Sequence, residues 1–257
     1  MVVEGRRIPG AGRIRYLTVT LASLAAGLVL WQVVSALVPS YLVPSPLRVV
    51  VRWGELWSSG VLGADLVTTL VEALLGFLFG SVAALVLGYL AAHVRPLEMV
   101  VSPWVAASQA MPMIAFAPLL ITLLGIGLLP KVLIAALIIF FPVLVNTVVA
   151  VRSVDRDLMD AARTDGATGL RLLAHVEGPL SLLVVLSGVK MSITLAMTGA
   201  LVAEFVASDA GLGYLLQLGR TEYDGPMVFA AALTVAVVSV IAYAGVTALE
   251  YWVRRRF

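Results

Sequence analysis

The 257 residues are 61% hydrophobic and 12% charged, with a formal net charge of +2 and a mean hydropathy of +1.05; an ordinary soluble domain carries about twice that charged share. This is the composition of a membrane protein, and so small a basic excess does not imply nucleic acid, because where Lys and Arg sit matters more than their sum. The absence of cysteine excludes disulfide staples, thiolate metal sites and a cysteine nucleophile.

The chain opens on a basic stretch, MVVEGRRIPGAGRIRY. The apolar run behind it is longer than a signal-peptide core and lacks a small-x-small cleavage site, so residues 1–15 are expected to be a cytoplasmic lead into a retained helix. Crossing the ~30 Å hydrocarbon core takes about 20 mostly apolar residues. Six such runs are predicted, at about Tyr16–Val38, Thr68–Ala92, Met99–Leu124, Val132–Val151, Leu180–Val206 and Met227–Trp252.

Between the first two spans, Pro44 and Pro46 forbid a continuous helix, while Trp53 and Trp57 share a face beside Arg48, Arg52 and Glu55. A short helix lying in the membrane interface and a loop helix with a packed Trp pair fit equally well. The second span carries Gly76 and Gly80 in a G-x-x-x-G spacing that permits close helix approach. Pro103, Pro112 and Pro118 interrupt the third, where freed carbonyls must be satisfied by protein or by a water-filled cavity. A tight connection from Gly125 to Lys131 leads to the fourth span, which contains Pro142 and Asn146.

From Asp157 to Pro179 the sequence turns strongly polar, an island of charge between apolar runs. With the N-terminus inside, twelve of the seventeen Lys and Arg residues fall on the cytoplasmic side: Arg6, Arg7, Arg13, Arg15, Arg95, Arg152, Arg156, Arg163, Arg171, Arg254, Arg255 and Arg256. Arg48, Arg52, Lys131 and Arg220 are assigned to the outside and Lys190 to a span. The asymmetry puts both termini and the island in the cytoplasm.

Ionisable and polar groups within spans are the candidates for a solute path. They are Lys190, Thr194, Met197, Thr198 and Glu204 in the fifth span, with Gln109, Met111 and Met113 near Pro112 and Asn146 near Pro142. Helix packing is the alternative for that fifth-span face, and Glu72 can equally be a structural partner of a neighbouring helix. His93 and His175 lack neighbouring ligand pairs and are expected at the surface, so no metal site is predicted. Gly188-Val189-Lys190-Met191-Ser192 lies within a span and lacks a phosphate loop, so ATP must be bound elsewhere.

Within the island, Asp160-Ala161-Ala162, Gly166, Val176 and Pro179 match without gaps the E-A-A-x3-G-x9-I-x-L-P signature of the permease subunits of bacterial ABC importers. Asp160 stands for Glu, Val176 for Ile and Gly178 for Leu; Gly178 beside Pro179 is expected to loosen the start of the following helix. Val43–Pro46, Ala107–Val132, Ile138–Val151 and Val202–Leu216 extend the likeness over roughly Tyr41 to Arg254, and the chain resembles the nitrate, sulfonate and taurine branch of these permeases.

The resemblance implies an all-α integral membrane protein of six transmembrane helices with the MetI-like, type I importer fold. Residues 16–257 would form one permease domain and about 155–178 a cytoplasmic coupling segment. Its contact residues would be Asp157, Asp160, Ala161, Ala162, Gly166, Leu170, Val176 and Pro179, on two short helices seated in a cleft of an ATP-hydrolysing subunit. The implied partners are a second permease copy or paralogue, two cytoplasmic subunits binding ATP and Mg, an extracytoplasmic solute-binding protein and lipid. The chain itself would have no catalytic residue or cofactor, and its solute would be a nitrate, sulfonate, taurine, or a thiamine- or riboflavin-related compound.

Two other readings differ in kind. Half of an ion-coupled secondary transporter also has six helices, but leaves the island without a use. Asp157-x2-Asp160-x2-Arg163 faintly resembles the metal-binding aspartates of membrane CDP-alcohol phosphotransferases. That pattern needs glycine after the second Asp and another Asp pair on the next helix; here Ala161 follows, and no further Asp occurs between Asp165 and Asp209.

Overall fold

The computed structural model describes residues 10–206 and 208–255, all in helices and short connections; residues 1–9, Ala207, Arg256 and Phe257 lie outside the described residues, and so do the side chains of Gln109 and Leu170. Among the described residues five helices are long and apolar enough to cross a membrane: α1 (Gly10–Leu37), α3 (Val61–His93), α6 (Leu128–Arg152), α9 (Gly178–Val206) and α11 (Gly225–Arg254). The predicted third span is broken. α4 (Arg95–Ala110) and α5 (Ala117–Leu124) meet at a 92° bend around Pro112, with a 3-10 turn over Met113–Phe116. Counting that bent pair as one crossing gives six.

The core is the trio α3, α6 and α9: α3 and α6 run parallel, α9 runs antiparallel to both, and α6 packs more extensively on α3 and α9 than any other helices pack together. Small residues set the spacing. A Cβ at Gly80 would lie 2.7 Å from Ala136 O, and one at Gly76 would collide with Ala135 Cβ, so the G-x-x-x-G pair is spent on α6 of the same chain. Gly199 on α9 approaches Ala135 Cα from the other side, where a Cβ would stand at 2.7 Å.

The remaining helices flank this core. α2 (Pro46–Ser58) starts at Pro46, pre-set for a first helical turn, and buries Val49 and Leu56. Trp53 stacks on Trp57 with centroids 5.7 Å apart and donates to Thr234 Oγ1 of α11 at 3.0 Å, while both rings stay exposed, a geometry that fits either expectation. α1 buries none of its span within the chain, touching the rest chiefly through Trp31, whose Nε1 donates to Pro44 O and whose ring stacks on Phe229. The polar stretch after the fifth span contains a helix not foreseen from sequence, α10 (Leu212–Thr221).

Candidate functional site: the charged island and the two ends of the helix core

The island joins the end of α6 to the start of α9. Asp155 opens α7 (Arg156–Thr164), its carboxylate accepting from Asp157 N at 2.9 Å, and Asp157 lies in the first turn, where negative charge suits the helix dipole. Met159 faces inward and is buried, while Asp157, Asp160 and Ala161 are exposed and Ala162 is half-buried. Asp160 pairs with Arg163 at 2.9 Å in the open.

α7 ends in a Schellman closure. Gly166 adopts φ +86°, its N–H bonds to Arg163 O at 3.0 Å, and Ala167 N bonds to Ala162 O at 2.9 Å. No heavy atom would lie within 4 Å of a Cβ there, so glycine is required by backbone conformation and not by crowding. The chain then enters α8 (Leu170–Leu172) and a π-helical turn, Leu173–Glu177, that runs into α9. Val176 and Pro179 are half-buried along this return.

Gly178 departs from the expectation that it loosens the helix start. Its φ and ψ of −60° and −56° are helical, its N–H bonds Leu173 O across the wide turn, and a Cβ would sit 2.6 Å from that oxygen. Glycine is what lets the turn be wide. The residue just before it, Glu177, is buried and bonded to Tyr89 and His93 on α3, at 3.1 Å and 3.0 Å. Nothing in the local sequence signals that contact, since its partners lie more than eighty residues away. The exposed residues His93, Arg152, Arg156, Asp160 and Arg163 line a cleft of about 570 Å³ beside it.

The opposite end of the core holds a second polar cluster. The first N–H groups of α10 have no partners within their own helix, and α3 and α9 supply them. Gly211 N donates to Asp65 Oδ1 (2.7 Å), Leu212 N to Thr69 Oγ1 (2.8 Å) and Gly213 N to Glu204 Oε2 (2.7 Å). Thr69 donates to the other Glu204 oxygen at 2.7 Å. One turn deeper, Lys131 reaches Glu72 at 2.8 Å, both side chains about 95% or more buried. Lys131, expected on the outside, lies within α6, which begins three residues earlier at Leu128, and its ammonium points into the core.

The candidate path residues do not converge on one surface. Lys190 pairs with Glu250 of α11 at 3.4 Å and lies over the Tyr243 ring. Thr194 lines an apolar groove between α9 and α11 with Met191 and Tyr243. Met197 is buried against Ala73 and Ala200, whereas Thr198 is exposed. Asn146 donates to Pro142 O and packs on Gly188, and Met111 and Met113 sit at the α4–α5 bend. Glu204 belongs to the cluster that caps α10. Among the described residues no group of His, Asp or Glu is arranged to hold a metal ion.

Residues 80–255 match the family described as binding-protein-dependent transport system inner membrane component. The chain belongs to that family. It is the permease subunit of an ABC importer and a multi-pass inner-membrane protein. Among curated relatives, the riboflavin transport system permease protein RibX of Chloroflexus aurantiacus is 45% identical over 229 residues, 88% of this chain and 84% of the relative. The putative aliphatic sulfonates transport permease protein SsuC of Bacillus subtilis is 32% identical over 247 residues, 95% and 89% of the two chains. In fold the permease is similar to a chain of the inward-facing MetNI methionine ABC transporter, with a TM-score of 0.64 and 19% identity over 72% of this chain and 93% of that one. The MetI-like all-helical architecture implied by the family signature is therefore the observed one.

Proposed function

We propose that residues 155–178 are the contact through which a cytoplasmic ATPase drives this permease. The observation that carries the reading is the geometry of the island: a capped helix, a Schellman turn at Gly166 and a helical return, covalently continuous with α6 and α9 and presenting Asp157, Asp160 and Ala161 outward. In this reading the island and both termini are cytoplasmic, with residues 1–15 as the lead and 16–257 as one permease domain. ATP and Mg are held by two ATPase subunits, and the chain performs no covalent chemistry. A second permease copy or paralogue completes the path, and an extracytoplasmic binding protein delivers the solute.

For the solute, the higher identity to the riboflavin permease than to the sulfonate permease favours a flat heterocycle of the riboflavin class. The ion pairs support this, because Lys131 and Lys190 are each engaged by a glutamate, leaving neither as a free cation for a sulfonate. Co-expression with the ATPase and binding protein of the same transporter should give an ATPase that co-purifies with the permease and a strain that takes up riboflavin. Gly166→Asp, which puts a side chain and a charge on the exposed turn, should abolish co-purification; undiminished recovery of the ATPase would sink the docking claim. Uptake of an alkyl sulfonate in place of riboflavin would overturn the solute assignment alone.

A further inference from the structure

We propose that Glu177, held by Tyr89 and His93, is a positioning residue that ties the island to α3, so that one displacement moves three helices. The inference rests on the island being the ATPase contact. Covalent continuity alone would deliver that displacement to α6 and α9.

Four observations converge on Glu177. It is 2% exposed in a segment whose Asp157, Asp160 and Asp165 are all open to solvent, and a carboxylate stays buried only if its oxygens are bonded. Both oxygens are used: Oε2 accepts from Tyr89 Oη and Oε1 lies 3.0 Å from His93 Nε2. Both partners belong to one element, four residues apart on the last turns of α3, with ring centroids 4.5 Å apart. Glu177 also ends the π-helical turn, whose extra residue rotates it relative to a regular helix, and that turn tolerates no side chain at Gly178. Backbone and side chains are thus built for the same contact.

α3 is the helix worth gripping. Some twenty residues away, about 30 Å along a helix, the same α3 holds Glu204 of α9 through Thr69 and the start of α10 through Asp65 and Thr69. Glu177 and Glu204 lie at or just before the two ends of α9, so α3 and α9 are clasped at both ends by buried carboxylates. Packing on α6 holds the body of α3, so releasing the clasp frees the end of α3 nearest the island, where a cleft separates His93 from Arg152, to lag behind.

The chain has no native cysteine, so paired spin labels at Thr168→Cys on the island and Val86→Cys on α3 can report their separation within the assembled transporter. In the otherwise wild-type complex the labels should move together, and ATP should leave their distance unchanged. In Glu177→Gln the distance should be unchanged without ATP and shift when ATP is added, while the ATPase still co-purifies. Tyr89→Phe, which removes one bond and keeps the packing, should give a smaller shift. A Glu177→Gln distance that ATP does not alter overturns the inference, and so does one already altered without ATP, which marks a purely structural role. Loss of the ATPase from Glu177→Gln alone places the residue in docking and also overturns it. Failure of the docking reading is distinct: Gly166→Asp would then keep full recovery of the ATPase.

Discussion

The two ends of the α3–α6–α9 core treat negative charge in opposite ways. At the α10 end, Asp65, Glu72 and Glu204 are buried, each aimed at a named donor: the Gly211 N–H, the Lys131 ammonium, and the Thr69 hydroxyl with the Gly213 N–H. At the island end, Asp157, Asp160 and Asp165 stand in solvent, and Glu177 is the buried exception. Breaking a buried contact strands a charge in a medium that cannot solvate it, so the first arrangement is a fixed joint. Open carboxylates lose little by changing partners, and the second arrangement is suited to meeting another protein.

Lys131→Met should break the contrast hardest. It leaves Glu72 charged and buried, at a cost of about 3–5 kcal/mol, read as a lowered melting temperature of the detergent-purified permease. Adding Glu72→Leu should restore most of the loss, and a single variant that melts like wild type would remove the fixed joint. Gly213→Ala comes next at about 1–3 kcal/mol, because its Cβ would meet Glu204 Cβ at 2.7 Å and the Leu201 carbonyl. Gly166→Ala enters open space and pays only for its left-handed backbone, about 1 kcal/mol. A larger loss at Gly166 than at Gly213, by the same melt, would invert the comparison.

The smallest effect on stability is expected from Asp160→Ala with Arg163→Ala. That exposed pair contributes less than about 1 kcal/mol, yet its removal should reduce recovery of the ATPase. Stability and docking would then separate at the island.

What could be read in advance was whatever is encoded locally. Runs of apolar residues mark the spans, Pro44 and Pro46 end the first connection, and the spacing from Asp160 to Pro179 marks the island, because each depends on neighbours within a few turns. The polar contacts between helices were not legible. Lys131 stands beside Gly127 and Pro130 and reads as part of a loop, and only the position of Glu72, 59 residues away, explains its burial. Lys190 and Glu250 present the same difficulty across 60 residues. α10 was hidden because its start is capped by side chains from α3 and α9, leaving no local N-cap signal. The third span was recognised as proline-broken, but sequence carries no measure of how far two segments turn at Pro112.

The glycine-lined faces of α3 and α9 leave α6 no slack on either side. Thr69 and Tyr89 of α3 also reach α9 and the turn before it directly, so the three helices close on one another as a triangular post. What such a post shows its surroundings is the outer face of each helix, apolar on α3 through Val67, Val71, Leu74 and Leu78.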